Sequence, residues 1–373
     1  MQDQDRVVVV GAGIIGLSIA WRAAQVGLAV TVLEGDEAPR GASWVAAGML
    51  APVTEAAFGE DSLLRLNLES ASRYPAFVNE LSELTGIELR GGIEGTLFVA
   101  LDRDQSESLR RLFNYQHSLG LKVSWLSTDS CRKLEPALHP SVRSAVLAEG
   151  DWAVDPRALS QALRKALELA GVQINYSSPV AAIAAEPGSG VILRDGQKVP
   201  ANQIVLAAGA WSGKIEGVPT SIGASVRPVK GQILRLRPPA GEPCPASHVI
   251  RTEEVYIVPR ATGELVVGAT VEEKGFDTAL TAGAIFELLR AAQEVLPAIR
   301  EMELVECQAG LRPGTPDNGP LLGTCKPNLI AATGHYRNGV LLAPVTADAI
   351  SQLLANGETP PEIAPFSPLR FAS

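Results

Sequence analysis

The sequence predicts an α/β protein of two parts. One is a doubly wound, parallel-sheet domain assembled from separate segments of the chain, and the other is built on a mainly antiparallel sheet with helices. Three observations predict it. The chain opens on a strand, a glycine turn, a helix and a second strand; two more strands run into glycine turns at Gly209 and Gly334; and between Ser225 and about Gly310 the pattern changes to alternating strands.

The opening unit comes first. Val7 to Val10 is a β-branched run that reads as a buried parallel strand, and Gly11-Ala12-Gly13-Ile14-Ile15-Gly16 follows at once. Gly11 suits a tight turn, Gly13 lets backbone approach a pyrophosphate, and Gly16 lets helix and strand pack closely. Leu17 to Val26 has helical spacing and Gly27 closes it; Ala29 to Leu33 is the second strand, with Glu34 at its end. The amides and positive dipole end of the helix face a diphosphate, while Glu34 is placed to accept from both hydroxyls of an adenosine ribose. A glycine triplet alone is weak evidence; strand, helix, strand and acid in this order make it a dinucleotide site.

Further along, residues 38–49 are small and glycine-rich, with Ser43 expected to cap a short helix. The polar stretch from Thr54 to Asp61 has the composition of a lid, and Ser62 to Thr85 is helical up to Gly86. Residues 87–149 read as an insertion carrying a strand (Gly95 to Leu101), a helix (Gln105 to Leu119) and a short strand (Lys122 to Leu126). Asp155-Pro156 opens a helix, acid as cap and proline first, that ends at Gly171. Strands follow at Val172 to Tyr176, Gly190 to Leu193 and Gln203 to Ala208, the last running into Gly209. The antiparallel part has strands at Gln232 to Leu236, Val255 to Pro259 and Glu264 to Ala269, a helix from Ala282 to Leu296 and a strand from Glu303 to Leu311. A last unit places a strand at Asn328 to Ala332, a turn from Gly334, and a helix from Val340 to Ala355. The expected domains are therefore residues 1–86, 150–222 and 312–373 for the nucleotide, and 87–149 with 223–311 for the substrate.

Composition narrows the function classes. A formal charge of −9 and few aromatics argue against nucleic-acid partners. The four cysteines (Cys131, Cys244, Cys307, Cys325) and four histidines (His117, His139, His248, His335) are dispersed, with neither disulfide nor metal-ligand spacing, so no metal is expected. Met1 to Arg6 carries no signal-peptide pattern and no apolar run is long enough to span a bilayer, which predicts a cytoplasmic protein with no membrane partner.

Three glycine turns on one sheet suit a cofactor longer than a nicotinamide dinucleotide, lying along the carboxyl ends of the strands. The turn from Gly334 to Leu341 presents amides that suit negative charge on a reduced flavin ring. At this point the chain resembles the FAD-dependent amine and amino-acid oxidase family that includes D-amino acid oxidase and sarcosine oxidase, and within it the glycine oxidases of thiamine biosynthesis. The resemblance covers essentially the full length and rests on Ala46-Ala47-Gly48-Met49-Leu50, Tyr256 to Arg260, Leu265 to Thr270, Gly310 to Asp317 and Gly334 to Gly339. It implies a Rossmann-like FAD domain and a cofactor held by Gly11, Gly13, Ile14, Ile15, Gly16, Glu34, Ser43, Ala46, Ala47, Gly48, Met49, Val180, Ala208, Gly209, Trp211, Arg312, His335, Arg337, Asn338, Gly339, Val340 and Leu341. Some relatives link the flavin through a cysteine; that register falls here on Gly310, with Cys307 three residues away, so non-covalent FAD is expected.

The same resemblance makes Arg312 the partner of a substrate carboxylate, a task for which a bidentate guanidinium fork is suited. Tyr256 adds a hydroxyl to that carboxylate or shields it. Arg337 reads equally as a second cation near the substrate and as a solvated loop arginine. Met49, Ala51 and Val271 are expected in the substrate pocket. His335 is not assigned as a base, and Glu254 reads as a solvated edge acid. The activity implied is oxidative deamination of glycine, with sarcosine and small D-amino acids as secondary substrates, by hydride transfer from the amine Cα to flavin N5. Dioxygen is the acceptor, the products feed thiamine thiazole synthesis, and a homo-oligomer is expected. The alternative is a D-amino acid or proline dehydrogenase that passes electrons to a quinone or another acceptor.

Overall fold

Strand direction in the first sheet explains why three separate turns meet at one place. The computed structural model describes residues 6–37, 41–90, 94–184 and 190–372. Residues 1–5, and residues 38–40 of the glycine-rich segment, lie outside the described residues.

The chain opens as expected with β1 (Arg6–Val10), α1 (Ile14–Gln25) and β2 (Ala29–Leu33). It continues through α2 (Ala42–Val45), β3 (Met49–Leu50) and α3 (Asp61–Thr85), which stops at Gly86 in the left-handed region. Next come β4 (Glu94–Ala100), α4 (Arg103–Ser118), β5 (Ser124–Ser127), α5 (Thr128–Leu134), β6 (Ser144–Ala153) and α6 (Pro156–Leu169). Asp155 caps α6 by accepting from the Arg157 amide, 2.9 Å. The middle holds β7 (Gln173–Asn175), β8 (Val180–Ile183), β9 (Val191–Leu193), β10 (Lys198–Val199) and β11 (Gln203–Leu206). After α7 (Thr220–Ser225) come β12 (Arg227–Arg237), β13 (Val249–Arg251), β14 (Tyr256–Pro259), β15 (Leu265–Gly268) and α8 (Ala282–Val295). The chain closes with β16 (Glu303–Gly314), β17 (Leu321–Lys326), β18 (Leu329–Thr333) and α9 (Ala343–Asn356).

In the six-stranded sheet the order is β17-β18-β11-β1-β2-β7, parallel throughout except for β17. Val7 and Val9 are buried under the helices, where α1 packs against α6 and α9, and Val8 and Val10 are buried on the other face against β8 and β9 of a small antiparallel sheet, order β10-β9-β8. Since β1, β11 and β18 are neighbours and parallel, the turns at Gly11, Gly209 and Gly334 leave the same edge side by side. Gly16 has the packing role expected of it: a Cβ there would lie 2.0 Å from the Gly11 carbonyl oxygen.

The nine-stranded sheet has the order β16-β12-β15-β14-β13-β4-β6-β3, with β5 paired to β6. It is antiparallel except where β13 meets β4. Alternation divides its faces: Leu234, Ile257 and Val267 join the core under α8, while Ile233, Val258 and Val266 pack with Val45 and Ala47 on the opposite side.

Several expectations change. The ten-residue strand β6 was not anticipated, and the 149/150 boundary falls inside it; the 311/312 boundary falls inside β16. β3, within the segment given to the nucleotide domain, pairs with β6 in the nine-stranded sheet. The last helix starts at Ala343 rather than Val340, because Pro344 lacks an amide proton and fits only a helix's first turn.

Candidate active site

A cavity of about 780 Å³ runs between the two sheets, from Gly11, Ala12, Gly13, Ile15, Glu34 and Val180 at one end to Met49, Tyr256, Val271, Arg312 and Arg337 at the other. Ser43, Ala46, Ala47, Gly48, Ala208, Gly209, Trp211, His335, Gly339 and Val340 complete the expected part of its wall. Ile14, Gly16, Asn338 and Leu341 stand behind that wall. Ala51 does not reach it either; it is buried just beyond β3, so its expected place in the substrate pocket is corrected.

At the first end the Glu34 carboxylate accepts from the Ala12 amide at 2.8 Å and from the Asp36 amide at 3.1 Å, so the acid shapes the turn it faces. Ser43 does not cap α2. It lies within that helix, and its Oγ accepts from the Ile14 amide at 3.0 Å, at the start of α1. Leu17 N to Gly13 O, 2.9 Å, is an early intrahelical bond of α1, which leaves the first-turn amides other than Ile14's for a ligand. Three loops crowd this cradle. A Cβ at Gly11 would lie 2.6 Å from the Ala207 oxygen, and one at Gly48 would lie 2.0 Å from the Val154 oxygen. An elongated cleft, an acid at a strand end and open helix amides fit a dinucleotide with a ring system at the far end.

At the far end the β16 strand carries Arg312, half-buried, opposite Val229 of β12. Its Nη1 donates to the Thr270 carbonyl at 3.0 Å and more weakly to the Lys230 carbonyl at 3.5 Å; no carboxylate pairs with it among the described residues. The guanidinium occupies space that Gly231 leaves free, and the Tyr256 hydroxyl does the same over Gly268. Burial pushes the Tyr256 phenol above its ordinary pKa, with Arg312 pulling the other way, so it stays a neutral donor. Val271 is exposed on the wall, and Arg337 is exposed with its guanidinium over the Tyr336 ring at 5.0 Å. Glu254 stands at the mouth, and Glu55 pairs with Arg251 at 3.3 Å on the same wall.

His335 is buried and shares a hydrogen bond of 3.1 Å with Thr346, and burial depresses its pKa to about 3. Its ring is neutral and held by Thr346. The 54–61 stretch is fastened at its start: Asp151, fully buried, accepts from the amides of Val53 and Thr54 and from the Thr54 hydroxyl. Residues that sequence reasoning missed are Gly231, Gly268 and Thr270, which shape the arginine's seat, and Arg260, which is buried and donates to the Ala47 carbonyl at 2.6 Å. Only the glycine positions in Lys230-Gly231-Gln232 and Val267-Gly268-Ala269 signalled a close approach.

The family model described as FAD dependent oxidoreductase matches residues 6–353. The chain belongs to this FAD-dependent oxidoreductase family. Within it, the chain is similar to the bifunctional protein ThiO/ThiG of Synechocystis sp., 39% identical over 100% of this chain and 55% of that protein. The chain thus spans about half the length of that relative. It is also similar to the glycine oxidase of Geobacillus kaustophilus, 33% identical over 97% of this chain and 96% of the relative. The crystal structure of glycine oxidase from that organism superposes with a TM-score of 0.91, covering 99% of this chain and 100% of that one at 31% identity. The mixed α/β fold expected from the sequence is therefore that of the family, and the cofactor is FAD. The cradle between Gly11, Glu34, Ser43 and Gly209 fits its dinucleotide, and the Gly48–Met49 and Gly334–Val340 walls fit its ring. At the expected linkage position, a Cβ on Gly310 would meet Val45 at 3.0 Å, and Cys307 does not reach the cavity.

Proposed function

We propose that this member of the family oxidises glycine, and more slowly sarcosine and small D-amino acids, to an imine that water converts to the corresponding 2-oxo acid (glyoxylate from glycine and sarcosine) and an amine (ammonia, or methylamine from sarcosine), while dioxygen becomes hydrogen peroxide. The observation that carries the reading is Arg312: a guanidinium on the cavity wall with no carboxylate partner among the described residues, seated on backbone carbonyls beside the Tyr256 hydroxyl. A charge so placed needs an anion, and a substrate carboxylate supplies it.

FAD, when bound, supplies the electron acceptor for the Cα–H bond. The protein's part is position. Arg312 grips the carboxylate in a fork and fixes its direction, and Tyr256 adds a neutral donor to it or shields it from water. Met49 and Val271 bound the space left for substituents on the amine or Cα. No side-chain base is required of His335, whose ring stays neutral and faces Thr346. Arg337, Asn338 and Leu341 complete the set we assign to substrate and cofactor, with Gly310 supporting a non-covalent flavin.

We extend to this chain the role that the sequence resemblance implies, a product that feeds thiazole formation in thiamine synthesis; the similarity to the bifunctional protein ThiO/ThiG supports it. No helix among the described residues is long and apolar enough to cross a membrane, and the four thiols are free. The free thiols support a reducing, cytoplasmic setting. The test is oxygen consumption by the purified flavoprotein with glycine and sarcosine, coupled to peroxide detection. Uptake with peroxide is expected; flavin reduction by glycine with no oxygen uptake would instead indicate a dehydrogenase.

A further inference from the structure

Residues 271–281 follow β15 as an exposed strap, with only Glu272 partly covered. The strap has no apolar core of its own and is held by two buried side chains of β12, with a third, the exposed Arg227, paired to Glu273 at 3.1 Å. Lys230 is buried to 1% exposure, and its Nζ donates to the Ala279 carbonyl at 2.5 Å, with Asp277 at 3.6 Å and Glu272 at 3.8 Å. Gln232 is fully buried. Its amide nitrogen donates to Glu272 at 2.8 Å and to the Thr281 hydroxyl at 3.2 Å, and its amide oxygen accepts from Thr281 N at 3.0 Å. Backbone bonds join Lys230 and Glu272 in both directions.

The start of this strap is the seat of Arg312. Thr270 hands its carbonyl to Arg312, while its hydroxyl accepts from Gln232 N at 2.9 Å and donates to Glu272 at 2.6 Å. Val271 lines the cavity, and Phe276 reaches across to Trp211 (ring centroids 5.9 Å apart) and Lys214 (5.2 Å from the ring), both on the opposite wall. A buried ammonium is costly unless it is paired and hydrogen-bonded, and a methionine could fill the same space without that cost. Here the charge is spent on the one segment that carries Arg312's acceptor.

We propose that Lys230 is a positioning residue for the substrate carboxylate. Its ammonium ties down the 271–281 strap, the strap fixes the Thr270 carbonyl, and that carbonyl with Lys230's own holds one nitrogen of Arg312 so that the rest of the fork faces the cavity. Lys230 touches neither substrate nor cofactor. The inference rests on the reading of Arg312 as a carboxylate ligand, and it does not depend on which amino acid is oxidised.

The test compares Lys230→Met with the conservative Lys230→Arg in the flavin-loaded protein. Three quantities are read: KM and kcat for glycine, the Kd for acetate (a carboxylate without an amine) from the flavin absorbance change, and the rate of trypsin cleavage after Lys274 in the strap. In Lys230→Met, KM and the acetate Kd rise together about tenfold with kcat within about twofold, a change equivalent to one good hydrogen bond. FAD retention is unchanged, Lys274 is cut faster, and Lys230→Arg recovers most of the lost affinity. Should Lys230→Met not fold, Glu272→Gln, which alters the carboxylate that the strap turns toward Lys230 and Gln232, gives the same pattern. Faster cleavage with unchanged acetate affinity would overturn the proposal, as would unchanged cleavage and unchanged affinity. A protein that does not oxidise glycine but whose acetate affinity falls on Lys230→Met keeps the positioning role while the glycine reading is lost.

Discussion

Arg312 lies over Gly231, and a Cβ added to that glycine would stand 2.3 to 2.5 Å from the three terminal atoms of the guanidinium. The two residues sit on neighbouring strands, β16 and β12, in a register that pairs Arg312 with Val229 and Gly231 with Gly310. Absence of a side chain at 231 is therefore what gives the arginine its place, and the same relation holds between Tyr256 and Gly268.

Gly231→Ala is expected to move the guanidinium and leave the fold intact, because the methyl meets the tip of a flexible side chain and not backbone. The KM for glycine should rise about tenfold, the loss of one charge-assisted hydrogen bond. Steady-state kinetics with a thermal melt on the same sample checks it; an unchanged KM at unchanged Tm would place the carboxylate elsewhere.

Arg312→Ala removes the only ligand for the carboxylate that the proposed reading assigns full charge on this wall. The expected loss in kcat/KM for glycine corresponds to about 3 kcal/mol, or about a hundredfold, the low end for breaking a buried pair because the group is half-buried. Arg312→Lys should recover little of it, since a lysine presents a point charge where the seat is shaped for a planar fork. Recovery to near the parent rate would argue against bidentate binding.

How far the sequence reveals the site depends on whether the signal is local. The β1-α1-β2 unit was readable because strand period, turn glycines and helix spacing all lie within one short stretch. β6 was not, because Glu149-Gly150-Asp151 interrupts its apolar alternation; Asp151 serves instead to hold the turn at Val53 and Thr54. Ala51 was misplaced for a similar reason. Its nearness in sequence to Met49 does not tell which side of β3 faces the cavity, and the structure turns Met49 to the wall and buries Ala51. Ser43 has the composition of a cap, but the helix it serves is α1, 29 positions away in sequence. Lys230 and Gln232 read as ordinary strand residues, since what they hold is fixed only when β12 and the strap meet in three dimensions.

Tyr256→Phe separates a hydrogen-bonding role from an ionising one. Burial raises the phenol's pKa, so the hydroxyl stays protonated across the neutral and mildly alkaline range. Its removal should cost about 1 kcal/mol in kcat/KM, near fivefold, with the shape of the pH profile unchanged. Loss of an alkaline limb in the variant would make Tyr256 a titrating group instead.

Acid stability tests two buried groups with opposite signs. Burial raises Asp151 from 3.8 to about 6, so between those values the native state holds a proton that the unfolded chain has lost, and this contribution to stability falls as pH rises. Burial lowers His335 from 6.5 to about 3, so over that range the unfolded chain holds the extra proton and stability rises with pH. Between about pH 4 and 6 the two slopes, each up to about 1.4 kcal/mol per pH unit, oppose one another. Removing either one exposes the other. The stability of Asp151→Asn relative to the parent should improve as pH rises through this window, and that of His335→Asn should worsen. Thermal midpoints measured at half-unit intervals of pH check both. Parallel curves for parent and Asp151→Asn would show that the three hydrogen bonds from Val53 and Thr54 outweigh burial and keep that carboxylate ionised in the native protein.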